Sequence, residues 1–210
     1  MSITHDASRQ QRFLLTRGLS VAIAKDFKFV GRLCLDFAQT GDMGWGTKYE
    51  RLTSPSELQR WLSISPLQLP RVRVTSEDLP RARILRRAIW RVAEAVLADT
   101  VPGTADIRLI NGLAYQPNLV RELDSKARSM RWHHPTLAAA FATIAQDAVL
   151  LFGDPVQRER LRRCENPRCR VIFSDDSRPG LRRWCASERC GDRIRARSYR
   201  ERKKSTGDNG

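Results

Sequence analysis

Four cysteines, Cys164, Cys169, Cys185 and Cys190, are the residues of this 210-residue chain whose type and spacing best support chemistry. They read as Cys-x4-Cys, fifteen intervening residues, and a second Cys-x4-Cys. A tetrahedral structural zinc site needs four soft donors, supplied as two close pairs on a loop long enough to fold one pair onto the other. The expected cofactor is therefore one structural zinc ion, with all four cysteines as ligands. The pattern leaves no open coordination position of the kind catalytic zinc keeps.

Other candidates for catalysis are weak. Of the three histidines, His5 lies in a polar start, and His133 and His134 are adjacent, so they share no helix face and grip a metal poorly. No serine-centred nucleophile motif is present. Asp36 lies in an apolar segment, but a single carboxylate defines no reaction. The glycine-rich stretch from Thr40 to Thr47 lacks the spacing and the lysine of a phosphate-binding loop. The chain is read as a non-enzyme.

Arginine crowds the cysteines. From Arg158 to Lys204 there are 17 Lys or Arg against 7 Asp or Glu, a balance of +10 out of the chain's +15. Four thiolates on a divalent zinc subtract two from that local charge and leave it strongly basic. Such asymmetry points to an anionic partner. Arg193, Arg197, Arg200 and Lys204 fall at i, i+4, i+7 and i+11, one face of a helix, and Arg182 and Arg183 flank the second cysteine pair. These six are the candidate nucleic-acid contacts. Double-stranded DNA is the favoured partner, because beyond Trp184 and Tyr199 the tail offers no run of aromatics to stack unpaired bases. The competing readings are a solvated charged face, a finger that docks an acidic protein surface, and RNA binding.

Positioning these side chains falls to a mainly α chain with small α+β elements. It reads as a helical N-terminal domain followed by a small treble-clef-like zinc module. Residues 1–26 read as a flexible lead-in. Residues 28–38 are apolar and short, and fit a strand or a helix equally. Ser54-Pro55-Ser56-Glu57 starts a helix by capping box, carrying Leu58, Trp61 and Leu62 on one face. Thr75 to Asp78 opens a long amphipathic helix that ends near Asp99, with Leu79, Ala82, Leu85, Ile89, Val92, Ala93 and Val96 inward. Val101-Pro102-Gly103 breaks it, and Thr104 caps a shorter helix. Asn118 to Arg131 is a hairpin or a loop.

Pro135 to Phe152 is helical again, with Leu137, Phe141, Ile144, Ala145, Ala148 and Leu151 inward. Gly153-Asp154-Pro155 marks the domain boundary, so a fragment ending near Phe152 is expected to fold. In the module, one cysteine pair sits on a knuckle around Asn166 and Pro167. Arg183 to Cys185 ends a strand, and Cys190 opens a helix to about Lys204. Zinc supplies the folding energy that so small a module lacks. Residues 205–210 read as a disordered tail.

The apolar run from Leu137 to Leu151 is too short and too interrupted to span a bilayer, and the first residues carry no signal-peptide pattern. The expected compartment is the cytoplasm, where thiols stay reduced and paired cysteines bind metal. The fifth cysteine, Cys34, is flanked by leucines and reads as a small core residue.

The string Arg182-Arg183-Trp184-Cys185-x4-Cys190-Gly191-Asp192-Arg193 resembles the signature of the CGNR zinc-finger family, with Phe173-x-Asp175-x-Ser177 and the Cys164/Cys169 pair before it. Phe29-Val30-Gly31 and Leu35-Asp36-Phe37-x-x-Thr40 resemble the start of the ABATE domain that precedes this finger. The resemblance assigns residues 27–155 to the ABATE-like domain and 158–204 to the finger. It implies a bacterial, stress-induced transcriptional regulator whose finger binds DNA. The helical domain would then be the sensor of a small-molecule effector or a homo-oligomer contact. Two positions depart from the family: Asp192 replaces its Asn, placing a negative charge beside the candidate contact face, and Gln39 replaces the Asn before Thr40.

Overall fold

A computed structural model describes residues 27–41 and 49–207, with side chains to residue 203. The lead-in (1–26), most of the glycine-rich loop (42–48) and the last three residues lie outside the described residues.

The short helix α1, Leu33–Ala38, settles the ambiguity of the first apolar segment. Periodicity could not decide it because the segment has little outer face: Cys34, Leu35, Asp36, Phe37 and Ala38 are all buried. Its start is pinned by Asp147. The Cys34 N–H donates to Asp147 Oδ2 at 2.9 Å, and Arg32 pairs with the same carboxylate at 3.1 Å. Burial pushes the Cys34 thiol well above its ordinary pKa, and the Asp147 charge adds to the effect. The thiol is inert packing.

Helix α2 is Pro55–Ile64; Ser54 Oγ accepts the Glu57 N–H, while the Glu57 carboxylate pairs with Arg60. Helix α3, Asp78–Leu97, buries the predicted stripe except Val96, which is half-buried, and adds Arg86 and Ala88. The buried Arg86 pairs with Glu50 and donates to the Thr40 carbonyl at 3.0 Å. Helix α4, Thr104–Ala114, has Gly103 as its N-cap, so Thr104 is the first helical residue and not the predicted cap. The segment before α5 is a hairpin: β1 (Val120–Leu123) pairs antiparallel with β2 (Met130–His133). Helix α5, Leu137–Gly153, is capped by Thr136 Oγ1 on the Ala139 N–H and buries all six predicted positions.

These helices close around Trp61, Phe37 and Phe141. The Phe37 ring lies 4.9 Å from Trp61 and 6.1 Å from Phe141, centroid to centroid.

Asp154 ends α5 and caps one further turn, α6 (Pro155–Arg158). The chain then enters the antiparallel pair β3 (Leu161–Arg163) and β4 (Ile172–Ser174), a π-helical turn (Ser187–Gly191) and α7 (Asp192–Gly207). Cys190 therefore lies in the turn that feeds the last helix, two residues before it. Residues 183–185 form no strand. Helix α7 runs three residues beyond the predicted Lys204, because no proline or glycine interrupts it before Gly207.

The hydrophobic core crosses the Gly153-Asp154-Pro155 boundary. Leu161, Val171, Ile172 and Phe173 are at most 2 % exposed and belong to the same apolar cluster as the helices. Two polar contacts reinforce it. Buried Gln39 donates to the Ile172 carbonyl at 3.2 Å, and Arg163 forms a two-pronged pair with Glu94 of α3.

Candidate metal centre and cationic surface

Each cysteine pair is presented by its own backbone device. The first pair brackets the turn between β3 and β4: Cys164 N–H donates to Val171 O at 2.9 Å, and Cys169 N–H to Asn166 O at 2.7 Å. Asn166 is buried, and its Oδ1 accepts the Arg168 N–H at 3.0 Å, which sets the curvature of the knuckle. The second pair spans the π-helical turn, where the Cys190 N–H donates to Ala186 O at 2.9 Å. A Cβ on Gly191 would sit 3.1 Å from both Trp184 Cδ1 and an Arg195 nitrogen, so glycine lets the indole pack against that turn. Glu165 N–H to Arg183 O, at 3.0 Å, ties the two halves together.

The four sulfurs converge. All lie within 4.8 Å of one another, and Cys164, Cys169, Cys185 and Cys190 are all buried. Sulfurs on a tetrahedral zinc, with Zn–S about 2.3 Å, are about 3.8 Å apart. Cys185 is 3.7 Å from both Cys169 and Cys190, far beyond the roughly 2 Å of a disulfide. Backbone N–H groups of Cys185 and Asn166 reach the Cys164 sulfur, and that of Val171 reaches Cys169. Such donors stabilise thiolate charge.

The titration of the cluster points the same way. A hydrogen bond from Cys169, then one from Cys185, pulls the Cys164 thiol down to about 2, while the hydrogen bond with Cys164 pushes Cys169 up to about 11 and Cys185 further still. A divalent cation at the centre would stabilise all four thiolates together. The donor set, burial and spacing fit one structural zinc ion.

The loop between the pairs is organised by Asp175. This buried carboxylate accepts from Ser177 N (3.0 Å), Ser177 Oγ (2.6 Å) and Arg182 N (2.7 Å). Burial alone would raise its pKa, yet the hydrogen bonds from Ser177 and Arg182 hold it below the usual carboxylate range. Gly180, at φ 63°, supplies the left-handed turn within the loop. Asp175 carries no metal-ligand spacing; its motif with Phe173 and Ser177 was its one signal in the sequence.

The six candidate contacts fall into different environments. Arg182 serves the finger itself. Its guanidinium donates to Trp184 O at 2.9 Å and to Cys185 O, and lies 4.7 Å above the Phe173 ring. Arg183 is exposed, over Trp184 and paired with Glu165 at 2.6 Å. Arg193, Arg197 and Arg200 project from α7 on the exposed side, with Arg197 paired to Glu201 at 2.7 Å. Lys204 lies on the same helix, its side chain outside the described ones. Asp192 starts α7 and is paired with Arg195 across one turn, so its charge is partly answered locally. Gln39 sits at the contact between the helical part and β4.

His133, at the end of β2, pairs with Glu122 at 2.6 Å, and His134 packs edge-on against it. No helix among the described residues is long and apolar enough to cross a membrane.

Comparison with known families finds two matches in order along the chain. The ABATE family, described as "Putative stress-induced transcription regulator", matches residues 31–155, and the CGNR zinc finger matches residues 160–203. Neither description is that of an enzyme. No curated protein matches the chain.

Proposed function

Because the chain belongs to the ABATE family of stress-induced transcription regulators, with a CGNR zinc finger behind it, we propose that it is a cytoplasmic transcriptional regulator whose finger binds duplex DNA and which catalyses no reaction. The observation that carries this reading is the exposed row Arg193, Arg197 and Arg200 on a helix that starts two residues after a zinc ligand. A helix held at its base by a metal centre presents its cations at fixed positions, and phosphate contacts need such positioning. Lys204 follows at the same helical spacing in the sequence, Arg183 is a further exposed cation beside the second cysteine pair, and Arg182 steadies that pair.

The helical part, residues 27–155, acts in this scheme as the sensor of a small-molecule effector or as the self-association unit. The exposed Val120, Leu123 and Met130 of the hairpin support the second role. The finger spans residues 158–204. Selection of genomic fragments by the zinc-loaded protein tests the proposal. The expected result is enrichment of duplex fragments that share a sequence. Recovery no better than with chelator-treated protein would refute it.

A further inference from the structure

The row on α7 forms one wall of a larger feature. Between the segment Lys28–Val30 and the finger lies an open cleft of about 890 Å³, lined by Lys28, Arg168, Arg189, Arg193, Arg197 and Arg200. Asp192 is the one carboxylate among its lining residues. Several cations elsewhere on the finger are matched: Arg183 by Glu165, Arg163 by Glu94, Arg195 by Asp192. Within the cleft only Arg197 is, by Glu201. Lys28, Arg168, Arg189, Arg193 and Arg200 have no carboxylate partner among the described residues. Five cations without a carboxylate partner are thus gathered in one concave place, where low-dielectric walls concentrate their field.

Both walls are built. Phe27 and Val30 are buried, the Val30 N–H donates to the buried Asp36 carboxylate, and Arg60 lies 4.7 Å over the Phe27 ring. Lys28 is therefore held by the helical part, opposite the finger. Arg193 and Arg200 are seven residues apart, about 10 Å along the helix. That length exceeds a single phosphate and suits successive phosphates of one strand, whose axial rise is about 3.4 Å per nucleotide.

Building on the DNA-binding reading above, we propose that this cleft seats the phosphate backbone of one strand of the duplex. The helical part, through Lys28, and the knuckle and π-helical turn, through Arg168 and Arg189, are then contacts in addition to α7. Arg182, spent on the finger's own carbonyls, is not a contact. The geometry makes the binding surface a joint product of both parts of the chain.

The test uses full-length, zinc-loaded protein and a labelled duplex, with affinity followed by anisotropy from about 50 to 200 mM salt. Wild type is compared with Lys28→Ala/Arg189→Ala, with Arg193→Ala/Arg200→Ala, and with Arg128→Ala in the hairpin turn as a charge control. Each lost phosphate contact should flatten the salt slope by about one unit. Either cleft double variant should therefore lose about two units, roughly tenfold less weakening over that range. Arg128→Ala should match wild type. Should the Lys28 double variant lose zinc, the exposed Arg189→Ala alone decides, with a slope lower by about one unit.

A wild-type slope in both Lys28→Ala/Arg189→Ala and Arg189→Ala, beside a flattened slope in Arg193→Ala/Arg200→Ala, would overturn the cleft and leave DNA binding by α7 intact. No duplex binding by wild type at about 50 mM salt would overturn both readings. Tighter binding of single-stranded RNA than of duplex at every salt would overturn the duplex as occupant.

Discussion

Replacing Ile172 by alanine probes the joint between the zinc finger and the helices. Ile172 is 0 % exposed, and the register Leu161↔Ser174, Arg163↔Ile172 puts it on the same face of β3–β4 as Leu161 and as Arg163, which reaches Glu94 on α3. Alanine removes three carbons. At about 0.8 kcal/mol each the transfer loss is about 2.4 kcal/mol, and the cavity left in a core pinned on both sides brings the total to about 3–4 kcal/mol. The backbone carbonyl that accepts from Gln39 stays, so the substitution isolates the packing. For a chain of this size, about 2–4 °C per kcal/mol converts to a fall of roughly 10 °C in Tm.

Melting is followed in parallel by circular dichroism at 222 nm, which reports the helices, and by zinc release to a chromogenic chelator. Because the core is continuous, both transitions should move down together. Leu181→Ala, at a side chain 77 % exposed, should move neither. An unshifted helical transition with earlier zinc release would refute the shared core and make the finger an independent unit.

Two further outcomes are expected. Wild-type protein should carry one zinc by elemental analysis, and Cys185→Ser should lose it; retention of full zinc would exclude Cys185 as a ligand. Asp175→Asn should destabilise the protein by about 2–3 kcal/mol in urea, since charge-assisted hydrogen bonds contribute about 1.5–3 kcal/mol each and the amide keeps part of the pattern. The folded Asp175 carboxyl titrates below its usual range, so its stabilising effect is complete above the unfolded pKa and is lost only as pH falls through the lower folded value. The gap between wild type and Asp175→Asn should therefore stay constant from about pH 6 to pH 8; a gap that narrows within that window would refute the assignment.

The sequence by itself determined what depends on local chemistry. The zinc ligands were legible because four cysteines in two pairs carry their own spacing rule. The long helices were legible because one-sided burial writes a 3.6-residue period, as it does in α3 and α5. The cap at Ser54 was legible from a serine followed by Pro55, whereas Thr104, of similar type, proved to be the first helical residue. Segments without a solvent face gave no period: α1 is buried nearly all round, and only its contacts with Asp147 show how it is held.

The tertiary structure decided how charges and surfaces meet across distance in the chain. Spacing made Arg182 look like a contact, but folding brought it onto Phe173 and the Trp184 and Cys185 carbonyls. Lys28, some 140 residues before Arg168, carried no signal of its own. It gains meaning only because a buried Asp36 fixes its segment beside the finger. The boundary at Gly153-Asp154-Pro155 was readable as a helix stop, yet the apolar residues beyond it complete the core behind it. A sequence records which residues prefer to be buried; which partners bury them is settled only when the chain closes on itself.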